Sequence, residues 1–171
     1  MTWGAVDLDA ATVRVERSLE ETATGLRVKS PKTRSGIRTI SLPKSAVEIL
    51  REHQRSQFER RLVLGLDRNG PEDLVFPLAD GSAYPPDKLS RDWGNVVRDR
   101  ELPKVMFHAL RHSHASALIA AGLDIVTVSK RLGHGSPAIT LQVYAHLFNQ
   151  TDKVAAEAIE RAIGSGLGPS T

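Results

Sequence analysis

The sequence predicts an α+β domain, mainly helical, with a small three-stranded antiparallel sheet near the N-terminus. Three observations carry this. Period-two alternations are confined to the stretch ending at Ile40, apolar stripes at helical spacing fill the remainder, and Gly/Pro-rich turn signals separate the segments. At 171 residues the chain is one domain's worth, enough to bury a core and too short for two full domains.

The strands come first. Val13 and Val15 alternate with Arg14 and Glu16, Leu26 and Val28 flank Arg27, and Ile37 and Ile40 bracket Arg38-Thr39, with turns at Thr24-Gly25 and Thr33–Gly36. Pro43 then opens a helix that runs to about Leu64 and ends in the turn chemistry of Asp67-Arg-Asn-Gly70-Pro71. Leu74-Val-Phe76 reads as a short buried run, and Pro85-Pro86 leads into a helix that reaches about Arg100. Helices near 107–121, 124–132, 137–147 and 151–163 complete one domain over 1–163. Gly164–Thr171 is too rich in glycine and too poor in apolar residues to be more than a loose tail.

Composition narrows the function. A net charge of +3 is only mildly basic, but Arg27, Lys29, Lys32, Arg34, Arg38 and Lys44 follow one another without an acidic residue between them. Such a one-signed stretch suits a phosphate backbone, and equally a solvated hairpin. There are no cysteines, which excludes disulfides, thiolate metal sites and a Cys nucleophile. No apolar run reaches membrane-spanning length and no signal-peptide pattern opens the chain, so a cytoplasmic protein is expected. Aromatic residues make up 5% of the chain, which argues for duplex backbone as partner rather than stacked single strands.

Helical geometry sorts the histidines. On the 107–121 helix Phe107, Leu110, His114, Leu118 and Ala121 form one stripe, so His114 is expected to pack in the core. His108 and Arg111 lie one turn apart on its flank, where they can address one ligand. His134 stands between Gly133, a helix C-cap, and Ser136-Pro137, the N-cap and first residue of the next helix. Tyr144 follows two turns into that helix, beside Leu141, Ala145 and Leu147. Each of these residues alone fits a structural role. Together, His108-Ala-Leu-Arg111, Leu132-Gly133-His134 and Tyr144 are the groups needed to break a phosphodiester without metal: a phenolic nucleophile, a cation for the phosphate oxygens and imidazole donors.

Their order and spacing resemble the tyrosine recombinase (phage integrase) family, from about Trp3 to Ile163. The resemblance implies a DNA breaking and rejoining enzyme of mobile-element type that needs no cofactor or metal. His108, Arg111 and His134 would bind the scissile phosphate, and Tyr144 would form a 3′-phosphotyrosyl link and release a 5′-hydroxyl. Lys32, in the turn before the last strand, matches the general acid, with Lys29 as fallback. Lys29, Thr33, Arg34 and Arg38 are expected on the DNA backbone. Implied partners are double-stranded DNA at a recombination site and further copies of the chain in a tetrameric synapse, docked through the last helix, whose stripe is Val154, Ala155, Ala158, Ile159 and Ala162. The resemblance also implies a first catalytic arginine and a core-binding domain upstream of Trp3, so the chain is expected to correspond to the C-terminal part of a catalytic domain.

Three other readings compete. Ala120-Ala-Gly-Leu123 followed by Val128–Leu132 imitates a helix-turn-helix, which would make the chain a binding module. His108 and His112 have the i, i+4 spacing of a zinc site, without His-Glu-x-x-His or a third ligand nearby. An inert recombinase remnant is the third.

Overall fold

The first strands form because β-branched residues alternate with polar ones, and they pair where turns bring them together. The computed structural model describes residues 1–31, 36–67, 70–147 and 152–164. After a 3-10 turn at Trp3–Ala5 come β1 (Val6–Asp7), β2 (Thr12–Val15), β3 (Ser18–Thr22), β4 (Gly25–Lys29) and β5 (Arg38–Ser41). Strands β1, β2 and β5 make a three-stranded antiparallel sheet in that order, with Val6 opposite Val13 and Val13 opposite Ile40.

The strands differ from expectation: Val6–Asp7 and Ser18–Thr22 are additional, and the first of them completes the three-stranded sheet. Leu26–Val28 does not supply a strand of that sheet but pairs with β3 as a separate hairpin. Four of the five residues of Ser18–Thr22 are acidic or polar, which hides its strand character; charge pairing across the hairpin compensates. Glu20 faces Arg27 in register and its carboxylate also lies 2.6 Å from Lys29 Nζ. Leu26 and Val28 stay exposed, as befits a solvated hairpin. Gly25, at φ 117°, closes the turn in a region that side chains disfavour.

The helices follow the predicted punctuation closely: α1 (Lys44–Val63), α2 (Pro86–Asp99), α3 (Ala109–Ala120), α4 (Ile125–Leu132), α5 (Pro137–Tyr144) and α6 (Asp152–Gly164), with a 3-10 turn at Ala145–Leu147 between the last two. Asp124 caps α4 by accepting from the amides of Val126 and Thr127, and Ser136 caps α5 through Ala138 N–H. The expected turn at Thr33–Ser35 and the tail beyond Gly164 lie outside the described residues.

Two packed regions result. Trp3 is buried against α1: its indole N–H donates to Gln57 Oε1 at 2.6 Å, and Gln57 Nε2 donates to Leu74 O. Val75 is fully buried beside them, as its short apolar run predicts, but Phe76 is half exposed and rests on the His53 ring. The second region joins Ala115 and Ile119 of α3, Val128 and Leu132 of α4 and Tyr144 of α5. Val128 is fully buried, worth roughly 1.5–3 kcal/mol.

His114 is not in that core. The buried stripe of α3 runs through Ala115 and Ile119, one position on from the predicted one, because α4 and α5 approach from that side. His114 lies on its flank, where Nε2 accepts from Arg131 Nε–H at 3.0 Å. Burial, then Arg131 and Arg111, hold its imidazole below the ordinary histidine range.

Candidate active site

The site is organised by the C-terminus of α4. A helix leaves its last four carbonyls without intrahelical partners, and here each has one. Gly133, at φ 72°, closes a Schellman motif in which its own N–H bonds Lys130 O and His134 N–H bonds Ser129 O. The remaining two carbonyls are taken by arginines from distant segments. Arg38 Nε–H donates to Arg131 O at 2.9 Å, and Arg111 Nη2–H donates to Leu132 O at 2.6 Å. Both cations sit at the negative end of the helix dipole.

Arg38 therefore stands in the same cluster as Arg111. A second bond, Arg38 Nη1–H to Gly36 O at 3.1 Å, ties the guanidinium to the segment entering β5. Burial and the neighbouring Arg111 lower the Arg38 pKa. Among the described residues no carboxylate lies within ion-pair distance of either arginine. Among the described residues, carbonyl dipoles offset the positive charge here.

His134 is delivered by the same turn. Its Nδ1 lies 2.7 Å from the hydroxyl of Thr140, which is fully buried on α5. Burial, then Arg111 and Arg38, depress the His134 pKa, so the ring is neutral at neutral pH. With Thr140 donating, Nδ1 is the acceptor and Nε2 carries the proton, the tautomer that can donate to an anion.

Tyr144 enters from the end of α5. Its ring is 4% exposed within the helical core, and its hydroxyl lies 2.8 Å from Nδ1 of His112, the residue after Arg111. His108, at the N-cap of α3, meets the His112 ring edge-on with centroids 5.5 Å apart. The segment leading to His108 is fixed by Trp93, whose indole N–H donates to Val105 O and whose ring meets Phe107 edge to face. Helix α3 thus holds Arg111 against the His134 turn and His112 against Tyr144. Lys29 is committed to Glu20 on the hairpin, while Lys32, Thr33 and Arg34 lie outside the described residues. Among the described residues no three His, Cys, Asp or Glu side chains are grouped to hold a metal ion.

A model of the phage integrase family matches residues 1–151. The chain belongs to the phage integrase family. It is 30% identical to the ICEBs1 integrase of Bacillus subtilis (strain 168) over 160 residues, covering 94% of this chain and 43% of that protein. It is 28% identical over 170 residues to a XerC-like tyrosine recombinase of Caldanaerobacter subterraneus subsp. tengcongensis, covering 93% and 44%. The chain thus spans less than half the length of these curated relatives. Its fold matches that of the Tn1549 transposon integrase in complex with transposon right end DNA, with a TM-score of 0.68 and 19% identity over 96% of this chain and 52% of that one. XerA recombinase superposes with a TM-score of 0.60 and 20% identity, covering 95% and 50%.

The contacts that hold the candidate residues Arg111, His134 and Tyr144 have little signal in the sequence. Thr140 gives no signal of its own, being one apolar-flanked threonine on a helix. Arg38 was visible only as part of a basic stretch, and His112 only as half of a zinc-like pair. No helix of the described chain is long and apolar enough to cross a membrane.

Gly133 is the point where the site is most easily disturbed. A Cβ there would lie 2.6 Å from Arg38 Nη1 and 2.9 Å from its Cζ, in a backbone region costly to L side chains. Gly133→Ala is expected to destabilise the fold by about 1–2 kcal/mol from backbone strain alone. Thermal unfolding would register this as a loss of about 2–4 °C per kcal/mol. An unchanged melting temperature would mean that the turn relaxes without strain.

Proposed function

We propose that this chain is the DNA-cleaving part of a tyrosine site-specific recombinase, organised as one domain over 1–163. The observation that carries this reading is the adjacency on α3 of Arg111, bonded to the turn that bears His134, and His112, bonded to the Tyr144 hydroxyl. Consecutive residues of α3 thus contact both the turn that bears His134 and Tyr144, which supports one site built from segments far apart in the chain.

In the proposed reaction a scissile phosphate enters beside Arg111 and His134, with His108 as a further donor. Tyr144 Oη attacks phosphorus, the bond to the 5′ oxygen breaks, and a 3′-phosphotyrosyl ester forms. Charge that builds on the non-bridging oxygens meets donors already in place, which is where electrostatic catalysis gains most. The departing oxygen takes a proton from Lys32. The ester keeps the bond energy, so a second 5′-hydroxyl can reseal the strand by the reverse path. Duplex DNA is the substrate, and Lys29, Thr33, Arg34 and Arg38 are the proposed contacts to its backbone. The exposed Ile159 and Ile163 of α6 support docking of that helix on a neighbouring protomer in a synapse.

Incubation with a nicked duplex whose cleaved fragment diffuses away tests the reading. A covalent adduct mapped to Tyr144 is the expected outcome. A salt-sensitive gel shift without adduct would leave a DNA-binding module instead. Lys32→Ala is expected to slow adduct formation by about 10²–10⁴-fold, the range for a lost general acid. A 5′-bridging sulfur, which leaves without a proton, should restore most of the rate. If sulfur gives no rescue, the acid is another residue.

A further inference from the structure

We infer that His112 is the base that takes the proton from Tyr144 during strand cleavage, an assignment that rests on the recombinase reading above. A phenol is a poor nucleophile until its proton is removed, and the proton must go to a group within hydrogen-bond reach. His112 Nδ1, 2.8 Å from Tyr144 Oη, meets that requirement. Arg111 carries no lone pair to offer, and His134 Nδ1 is engaged by Thr140.

The surroundings of His112 fit the role. The residue is exposed, so Nε2 can exchange protons with solvent, while the Tyr144 ring that it holds is buried. Among the described residues, the titratable groups in contact with its ring are His108 at the N-cap of its helix and Tyr144 from α5; Arg111 precedes it in sequence, and His146 lies on the 3-10 turn that packs against α3. In the forward step the Tyr144 O–H bond breaks as Nδ1–H forms, Oη bonds to phosphorus, and the 5′ oxygen leaves with the Lys32 proton. In the reverse step His112 returns its proton to the departing phenolate and Lys32 takes one from the attacking 5′-hydroxyl. No other reactant is required.

The test exploits the shape of asparagine, whose amide reaches the position of Nδ1 and can accept a hydrogen bond but does not take up a proton. Single-turnover adduct formation on the nicked duplex would be followed across pH for the wild-type chain, His112→Asn and His112→Ala, with melting temperatures confirming that each is folded. For the wild type, the rate should fall at low pH, because a protonated Nδ1 has no lone pair. Both variants should lose about 10²–10⁴-fold in rate, and the low-pH fall should vanish. An asparagine variant that matches the wild type in rate and pH profile overturns the assignment.

If the wild-type chain forms no adduct, an outcome that its covering less than half of its relatives' length also explains, the histidine is judged on its own. The six histidines would be assigned by ¹⁵N spectra of the wild type and of Tyr144→Phe. A neutral His112 with the proton on Nε2, whose Nδ1 resonance moves when the hydroxyl is removed, supports the acceptor role. An unmoved resonance, or a proton on Nδ1, removes it.

Discussion

Tyr144→Phe is expected to abolish covalent capture on a nicked duplex while leaving DNA binding and the fold in place. The substitution removes one oxygen and keeps the ring that packs with Ala115, Ile119, Val128 and Leu132. Its structural cost is the hydrogen bond to His112, about 0.5–1.5 kcal/mol. Since no other side chain replaces the lost nucleophile, adduct formation should fall to background rather than by a finite factor. Denaturing electrophoresis of the reaction and a parallel gel shift separate the two effects. Adduct persisting in the Phe variant would place the nucleophile elsewhere.

The second large effect is expected at Arg111. Lysine in its place keeps the charge, so affinity for duplex DNA should change little, but it loses the planar fork that matches a phosphate in two-pronged fashion. A preorganised donor of this kind is worth on the order of 10²–10³ in rate. Single-turnover cleavage should therefore drop by about that much while the salt dependence of binding stays close to that of the wild type. A loss of affinity equal to the loss of rate would make Arg111 a simple backbone contact. Because Arg111 also caps Leu132 O, the melting temperature of the variant belongs in the comparison.

The legibility of this chain varied with the range of the forces involved. Helices were read well because their limits are set by local chemistry: Ser136-Pro137 starts α5 and Gly133 stops α4, as the sequence alone indicates. The β3–β4 hairpin was misread because Ser18–Thr22 is held by its partner's charges rather than by apolar alternation. His114 was assigned to the core because helical periodicity gives a stripe but not which edge of it neighbouring helices will cover. The candidate site residues Arg111, His134 and Tyr144 stood out by residue type and spacing. Their supports did not, since Arg38 reaching Arg131 O and His112 reaching Tyr144 are tertiary contacts without a sequence period.

The partners chosen by the two arginines bear on how an anion would enter. Arg38 and Arg111 are oriented by the backbone oxygens of Gly36, Arg131 and Leu132 rather than by Asp or Glu. Had carboxylates held them, an arriving phosphate would have to displace a like-charged competitor, and the exchange of one ion pair for another would return little energy. Neutral oxygens fix direction without cancelling charge. An incoming anion therefore meets guanidinium groups already aimed, with no carboxylate among the described residues to displace first.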